Sequence, residues 1–294
     1  MRWCASTSLT KNRRSSNALR AQLTPELPEV ETTRRGIAPA LLERRVVDVV
    51  VRERRLRWPI ARHLEAAIRG QTVRGIDRRA KYILIRFDPG TLILHLGMSG
   101  SLRLVKEDTA PKTHDHWDIR VDTGWVLRFH DPRRFGSLHW TETDPLLHPL
   151  LKRLAPEPLS PAFDGEYLYR VTRNRSVAIK QFIMNSQVVV GVGNIYASEA
   201  LFRAHVSPRR AARRLTRKET QALAQAIKDV LGEAIKIGGT TLRDYVNADG
   251  APGYFRQKLF VYERAGAACR VCRSAVKQFV QGQRSTYWCS NCQR

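Results

Sequence analysis

Apolar positions along this chain change period twice. The run Pro25-Glu26-Leu27-Pro28-Glu29-Val30-Glu31 puts prolines and acids where a helix opens, with acids in the first turn complementing its dipole, and predicts a helix to about Leu42. Short β-rich runs follow at 46–51, 82–87, 92–96, 101–105, 117–121, 125–129 and 138–140, separated by Gly, Asp-Pro and Thr-Gly. Many short strands with turn signals between them predict a sandwich or barrel. Residues 154–165 form a proline-rich connection and the best domain boundary. Beyond it the period is helical, over 166–173, 177–184, 195–204 and 216–237. A loop at 247–254 and a cysteine-bearing tail end the chain, and no internal repeat is present.

A length of 294 residues suits two domains with room for an appendage, and 43% hydrophobic residues can bury a sizeable core. No window approaches the ~18 apolar residues of a membrane span. Lys and Arg number 51 against 27 acids, a net charge of +24. That balance favours a nucleic-acid partner over a merely basic protein, and over an anionic membrane, since no basic amphipathic helix stands out. Four of the five cysteines fall in the last 26 residues and Cys4 stands alone, which argues for a metal in a reducing compartment over a disulfide framework. Residues 1–24 carry Arg2, Lys11, Arg13, Arg14 and Arg20, many hydroxyl residues and no acid. They lack the apolar core of a secretory signal and match an organellar transit peptide only weakly; a disordered or wrongly assigned start is the plainer reading.

Cys269-x2-Cys272, sixteen residues, then Cys289-x2-Cys292 supplies four thiolates for the corners of a tetrahedron around Zn²⁺. The intervening residues can run out and back as a hairpin, making a zinc ribbon whose metal is structural because every ligand position is filled by cysteine. Lys277, Gln278, Gln283 and Arg284 on that hairpin can face a phosphate backbone. Val190-Gly-Val-Gly-Asn-Ile-Tyr196 lies between helical stretches. It reads as a plain helix-helix turn or, beside the charge and the ribbon, as a phosphate clamp with Asn194 as side-chain donor. Two further loops, His95-Leu-Gly-Met98-Ser-Gly100 and Asp131-Pro-Arg133-Arg134-Phe135-Gly136, hold Met, Phe and Arg, suitable wedges for the gap left by an extruded base. For Met98 alone core packing is the stronger reading; Arg133 beside Phe135 is harder to explain as core.

These motifs occur in one order together with Pro-Glu-Leu-Pro-Glu-Val-Glu-Thr at 25–32 and Arg78-Arg-Ala-Lys81-Tyr. Jointly they resemble the formamidopyrimidine-DNA glycosylase family, which includes endonuclease VIII, and the resemblance spans residues 25–294. It implies an α+β multidomain fold: an N-terminal β-sandwich with flanking helices over 25–153, a linker at 154–165, a helical helix-two-turn-helix domain with a lesion loop over 166–258, and a C-terminal zinc ribbon over 259–294. It implies a monomeric bifunctional glycosylase and lyase of base excision repair, acting on damaged double-stranded DNA in the bacterial cytoplasm, with one structural zinc. Oxidised purines, 8-oxoguanine and formamidopyrimidines, are the implied lesions, removed through a proline Schiff base with β,δ-elimination. Pro25 matches the family's nucleophile, Glu26 its acid/base, Lys81 (expected within an apolar strand) a second essential base or acid, and Arg284 the ribbon arginine that assists δ-elimination. His114, Arg133, Arg175, Lys180 and Asn194 match DNA contacts, Met98 and Phe135 the wedge, and 247–254 the loop over the flipped base. At Arg175 many relatives carry Lys, an exchange a phosphate contact tolerates.

Glu29, one turn beyond Glu26, reads equally as a second site carboxylate or as an acid serving the helix start. A non-catalytic zinc-ribbon DNA binder would share the charge and the ribbon without needing Glu26, Lys81 or a terminal proline; an endonuclease VIII-like enzyme would prefer oxidised pyrimidines. As written, Pro25 follows Thr24, so its nitrogen is a tertiary amide and cannot attack. The expectation is that residues 1–24 are not part of the active form. A different start is favoured over processing or an inactive protein.

Overall fold

The computed structural model describes residues 25–238 and 259–294. Helix α1 (Leu27–Leu41) opens where the proline and acid pattern places it. Its N-cap is Glu26, whose backbone N–H donates to the Glu29 carboxylate at 2.9 Å, half of a capping box. Leu27, Val30, Ile37 and Leu41 are buried along one face.

Eight strands form two antiparallel four-stranded sheets. One has the order β1 (Val46–Val51), β6 (Asp115–Val121), β7 (Trp125–His130), β5 (Ser101–Lys106). The other runs β2 (Gly75–Arg79), β3 (Tyr82–Arg86), β4 (Thr91–His95), β8 (Ser137–Thr141). A single core joins them: Val46, Trp117 and Phe129 from the first sheet meet Ile83, Leu94 and Leu138 from the second. Helix α1 and the short α2 (Leu64–Ile68) contribute to the same core. The expected sandwich is therefore present with one strand more than the apolar pattern shows. Strand β2 reads Gly-Ile-Asp-Arg-Arg and has no apolar alternation to announce it.

The helical part holds α3 (Gly165–Thr172), α4 (Ile179–Ile183), α5 (Asn194–Arg203) and α6 (Arg217–Lys236). Side chains at the N-caps start two of them: Asp164 accepts from Tyr167 N–H at 2.7 Å, and Thr216 forms a capping box with Glu219. Leu168, Ile183, Leu201 and Leu231 share one core. Strands β9 (Lys277–Gln281) and β10 (Arg284–Trp288) make the terminal hairpin. Its ribbon is fastened to α5 by the buried Glu199 carboxylate, which accepts the N–H groups of Phe260, Val261 and Tyr262 at 2.8–2.9 Å. No helix among the described residues is long and apolar enough to cross a membrane.

The halves meet through specific bonds. Leu27 N–H donates to Gly191 O at 3.2 Å, and Ala155 N–H donates to Ser186 O at 2.9 Å. Residues 154–157 are no loose tether. The Glu157 carboxylate accepts from Arg78, Arg79 and the Ala80 N–H at 2.7–2.9 Å, while Arg79 donates to the carbonyls of Leu154 and Ala155.

Candidate active site

Glu26 lies at the seam between sandwich and helices, 3% exposed. Its carboxylate accepts from Gly193 N–H at 2.9 Å and Ile195 N–H at 3.1 Å. The expected phosphate clamp at 190–196 is thus corrected in part: these two N–H groups, at the start of α5, hold the protein's own carboxylate. The glycines make the approach possible. A Cβ at Gly193 would sit 2.1 Å from the Glu26 carboxyl carbon, and Gly191 at φ +79° would drive one to 2.4 Å from Leu27. Burial raises the Glu26 pKa to about 7, and neighbouring Glu29 adds to the rise while Lys81 and the backbone N–H groups oppose it. Glu29 serves both of its sequence readings. It caps the helix start and also faces the seam, accepting from the Tyr196 hydroxyl at 2.7 Å.

Lys81 does not lie in a strand, as its apolar neighbours suggest. It is the second residue of the two-residue turn closing β2 and β3, after Ala80 at φ 55°. Arg78 and Arg79, gripped by Glu157 and (for Arg78) Glu31, fix that turn. Burial lowers the Lys81 pKa, opposed by Glu26 and Glu29 and assisted by Arg284. Lys81 and Glu26 therefore share one poorly solvated space. His95, unassigned in the sequence reading beyond its motif, borders it: burial, and then Lys81, pull its pKa down to about 4. The His95 Nδ1 accepts from Gly97 N–H at 2.9 Å, which leaves the ring proton on Nε2. Pro25, immediately before Glu26, is buried.

Arg284 opens β10 beyond a tight turn in which Gly282 and Gln283 both have positive φ. Behind it, Lys180 is 1% exposed. Its Nζ donates to Asn194 Oδ1 at 2.6 Å, Thr286 Oγ1 at 2.8 Å and Ser285 O at 3.2 Å. Asn194 Nδ2 in turn donates to Ser285 O at 3.0 Å. Both residues, expected to reach outward to phosphates, spend these polar atoms fastening the arginine-bearing hairpin to the helices. Burial draws the Lys180 pKa down to about 7.

The two wedge loops come together. Asp131 is fully buried and accepts from Ser99 Oγ at 2.6 Å and Gly136 N–H at 2.8 Å. Gly97, at φ +72°, rests on the Phe135–Gly136 backbone, where a Cβ would approach to 2.4 Å. Phe135 remains 40% exposed with the Arg133 guanidinium 4.8 Å from its ring centre. Met98 is half-buried and outside the hydrophobic core, so the core-packing reading does not hold. His114, exposed at φ 72°, accepts from Asp131 N–H at 3.0 Å through its carbonyl, so it flanks the same loop. Arg175 is exposed on the helical side. The 247–254 loop lies outside the described residues.

In the ribbon the four cysteine Sγ atoms lie within 4.8 Å of one another, with Cys269–Cys292 at 3.9 Å and Cys272–Cys289 at 3.4 Å. Tetrahedral zinc with bonds of about 2.3 Å needs edges of about 3.8 Å, so the set fits one structural Zn²⁺ with no open position. Metal analysis is expected to return one zinc per chain. Cys289→Ala is expected to lose it and the amide protection of β9–β10 with it, because so small a module has little core to fall back on. A variant that keeps both the metal and the protection would remove Cys289 from the ligand set.

Comparison with known proteins agrees with this arrangement. The formamidopyrimidine-DNA glycosylase N-terminal domain matches residues 24–138, the formamidopyrimidine-DNA glycosylase H2TH domain residues 154–246, and the zinc finger found in FPG and IleRS residues 266–294. A formamidopyrimidine-DNA glycosylase of Thioalkalivibrio sulfidiphilus is 60% identical over 270 residues, 92% of this chain and 100% of that protein. The crystal structure of the MutM (Fpg) protein from Thermus thermophilus superposes with a TM-score of 0.83 at 39% identity, covering 92% of this chain and 98% of that one. Lactococcus lactis Fpg in complex with abasic-site DNA gives 0.86 at 30% identity, covering 92% and 99%. The chain belongs to the formamidopyrimidine-DNA glycosylase family, whose members are DNA-repair glycosylases.

Proposed function

We propose that this chain excises oxidised purines from duplex DNA through a covalent proline intermediate and then nicks the strand, acting as a monomer in the bacterial cytoplasm. The observation that carries the reading is Glu26: a buried carboxyl, aimed by two backbone N–H groups, with a pKa near neutrality and Lys81 and Pro25 beside it. A zinc-ribbon protein that only bound DNA would gain nothing from burying such a group. A mutant of Lactococcus lactis Fpg has been crystallised with DNA containing Fapy-dG, and the wild-type protein with DNA containing an oxidised pyrimidine. The Arg133/Phe135 loop beside Met98 supports the purine branch for this chain.

The steps follow from the groups present. A free Pro25 amine attacks C1′ of the extruded nucleotide, the C1′–N bond breaks with its electron pair going to the base, and the proton lost from the proline nitrogen neutralises the departing base. Opening of the C1′–O4′ bond then gives an iminium between C1′ and the proline nitrogen, with the proton the ring oxygen needs coming from Glu26. The iminium acidifies the C2′ hydrogen, and loss of that proton expels the 3′ phosphate in β-elimination; δ-elimination then expels the 5′ phosphate. Lys81 is the base or phosphate partner for these steps, and Arg284 accompanies the second. His114, Arg133 and Arg175 hold flanking phosphates, with Asn194 and Lys180 behind the phosphate path. Borohydride trapping of a form beginning at Pro25 on an 8-oxoguanine duplex tests the reading: a covalent complex is expected, and its absence alongside normal lesion binding would refute the Schiff base.

Phe135 has a separable role. A wedge matters only once a base has left the stack, so Phe135→Ala is expected to weaken binding to lesion duplex on the order of tenfold, the lower end for one base–aromatic stack, and undamaged duplex little. Equal losses on both DNAs in a gel-shift comparison would return Phe135 to ordinary backbone-binding surface.

A further inference from the structure

Residues 209–218 read Arg-Arg-Ala-Ala-Arg-Arg-Leu-Thr-Arg-Lys, six cations in ten positions without an acid. The fold pins this segment against the one carrying Arg175. Ile179 N–H donates to Arg210 O at 2.7 Å, Ala212 N–H to Val177 O and Arg213 N–H to Arg175 O at 2.9 Å, and Ala178 bridges Ala211. Arg213 is therefore set beside Arg175. Two of the six cations are spent internally, Arg210 on Glu219 and Arg217 on Glu166. Arg209, Arg213, Arg214 and Lys218 are exposed, as is Arg175, and none of the five has an ion pair among the described residues. The strip continues onto the ribbon. The Arg209 guanidinium lies 4.0 Å from the Phe279 ring centre, and Gln281 Nε2 donates to Pro208 O at 3.4 Å on the hairpin whose turn leads to Arg284.

We infer that Arg213, Arg214 and Lys218, in line with Arg175 and Arg209, form a second phosphate-binding strip that holds the duplex to one side of the lesion. This rests on the reading of the chain as a DNA enzyme. Unpaired cations held together on a rigid backbone repel one another, and a polyanion relieves that repulsion by releasing its counterions. Arg is the suitable residue because its planar fork matches phosphate oxygens in pairs. The occupant is the same duplex that enters the active site. The strip abuts the ribbon hairpin at Gln281, the β9 residue paired with Arg284, so a duplex held at Arg284 has the strip next to it. Nothing in the lesion chemistry needs these side chains; they lengthen the footprint and raise the capture rate.

The test uses the form that begins at Pro25, with R213Q/R214Q/K218Q introduced together, and lesion duplexes of about one and about three helical turns (a turn being roughly 10 base pairs). On the long duplex the slope of log K against log[salt] is expected to flatten by up to about 2.7, about 0.9 for each of three lost contacts. Affinity at low salt should drop tenfold or more. On the short duplex, affinity and the single-turnover excision rate of bound DNA should match the parent, and R213K/R214K/K218R should restore the long-duplex slope. An unchanged slope on the long duplex overturns the strip, and so does an equal loss on both lengths. A parent protein with no lesion preference and a flat salt response would instead overturn the underlying function.

Discussion

Glu26→Gln is expected to keep DNA binding within a few-fold of the parent and to lose base excision by on the order of 10²–10⁴-fold, the range for a positioned general acid. Glutamine keeps the volume at the seam and cannot deliver a proton. One of its two faces is an amide donor that must oppose either Gly193 N–H or Ile195 N–H, so zinc content and circular dichroism accompany the kinetics. The pH profile adds a second readout. Glu26 titrates at about 7, and a terminal α-amine titrates at roughly 8. Chemistry needs an unprotonated amine and a protonated carboxyl, so the pair must hold one proton between them. Below the lower value both groups are protonated and there is no nucleophile; above the upper value neither is and there is no acid. Single-turnover excision should therefore be bell-shaped around pH 7–8, and the two limbs belong to the pair rather than to either residue alone. Normal turnover in the variant would reduce Glu26 to an N-cap and undo the proposed mechanism.

The sequence made the general layout readable because that layout is local. Apolar runs mark seven of the eight sandwich strands, the prolines and acids at 25–31 mark the start of α1, and cysteine spacing identifies the zinc ligands. It did not disclose what joins positions far apart in the chain. The glycines at 191 and 193 announced a close approach, and a ligand was the natural guess. The approach is to Glu26, 167 residues away from Gly193, and no local pattern records that. Lys81 falls outside the strand its apolar neighbours suggest for a related reason: an apolar run says where a strand lies and not where its hairpin turns, and here the turn is held by Glu157 from beyond the sandwich. Lys180 is matched to a DNA contact by its motif, and its burial beneath the ribbon hairpin has no local signature. The net charge of +24 announces a basic surface, but only the backbone pairing with residues 175–179 gives the arginines at 209–218 a direction.

A protein that begins at Pro25 is expected to excise 8-oxoguanine and to trap under borohydride, and the 294-residue chain that retains residues 1–24 is expected to do neither. The contrast should be close to all-or-none, because it turns on one nitrogen. In the longer chain that nitrogen is joined to Thr24 as a tertiary amide. Its lone pair is delocalised into the carbonyl and it carries no proton to lose, so it can neither attack C1′ nor close an iminium. Freed, it is a secondary amine at the start of α1, where the helix dipole lowers its pKa and the neighbouring Glu26 can exchange its proton. The comparison requires both forms purified with intact-mass confirmation of the first residue, then assayed on one duplex with and without borohydride. Both should bind DNA, since the ribbon and the basic surfaces are common to them. A 294-residue chain that is verified intact and still traps would show that another amine, Lys81 in the first instance, is the nucleophile. Digestion of that covalent complex and mass analysis of the modified peptide would then identify the residue, and the role given to Pro25 would fall.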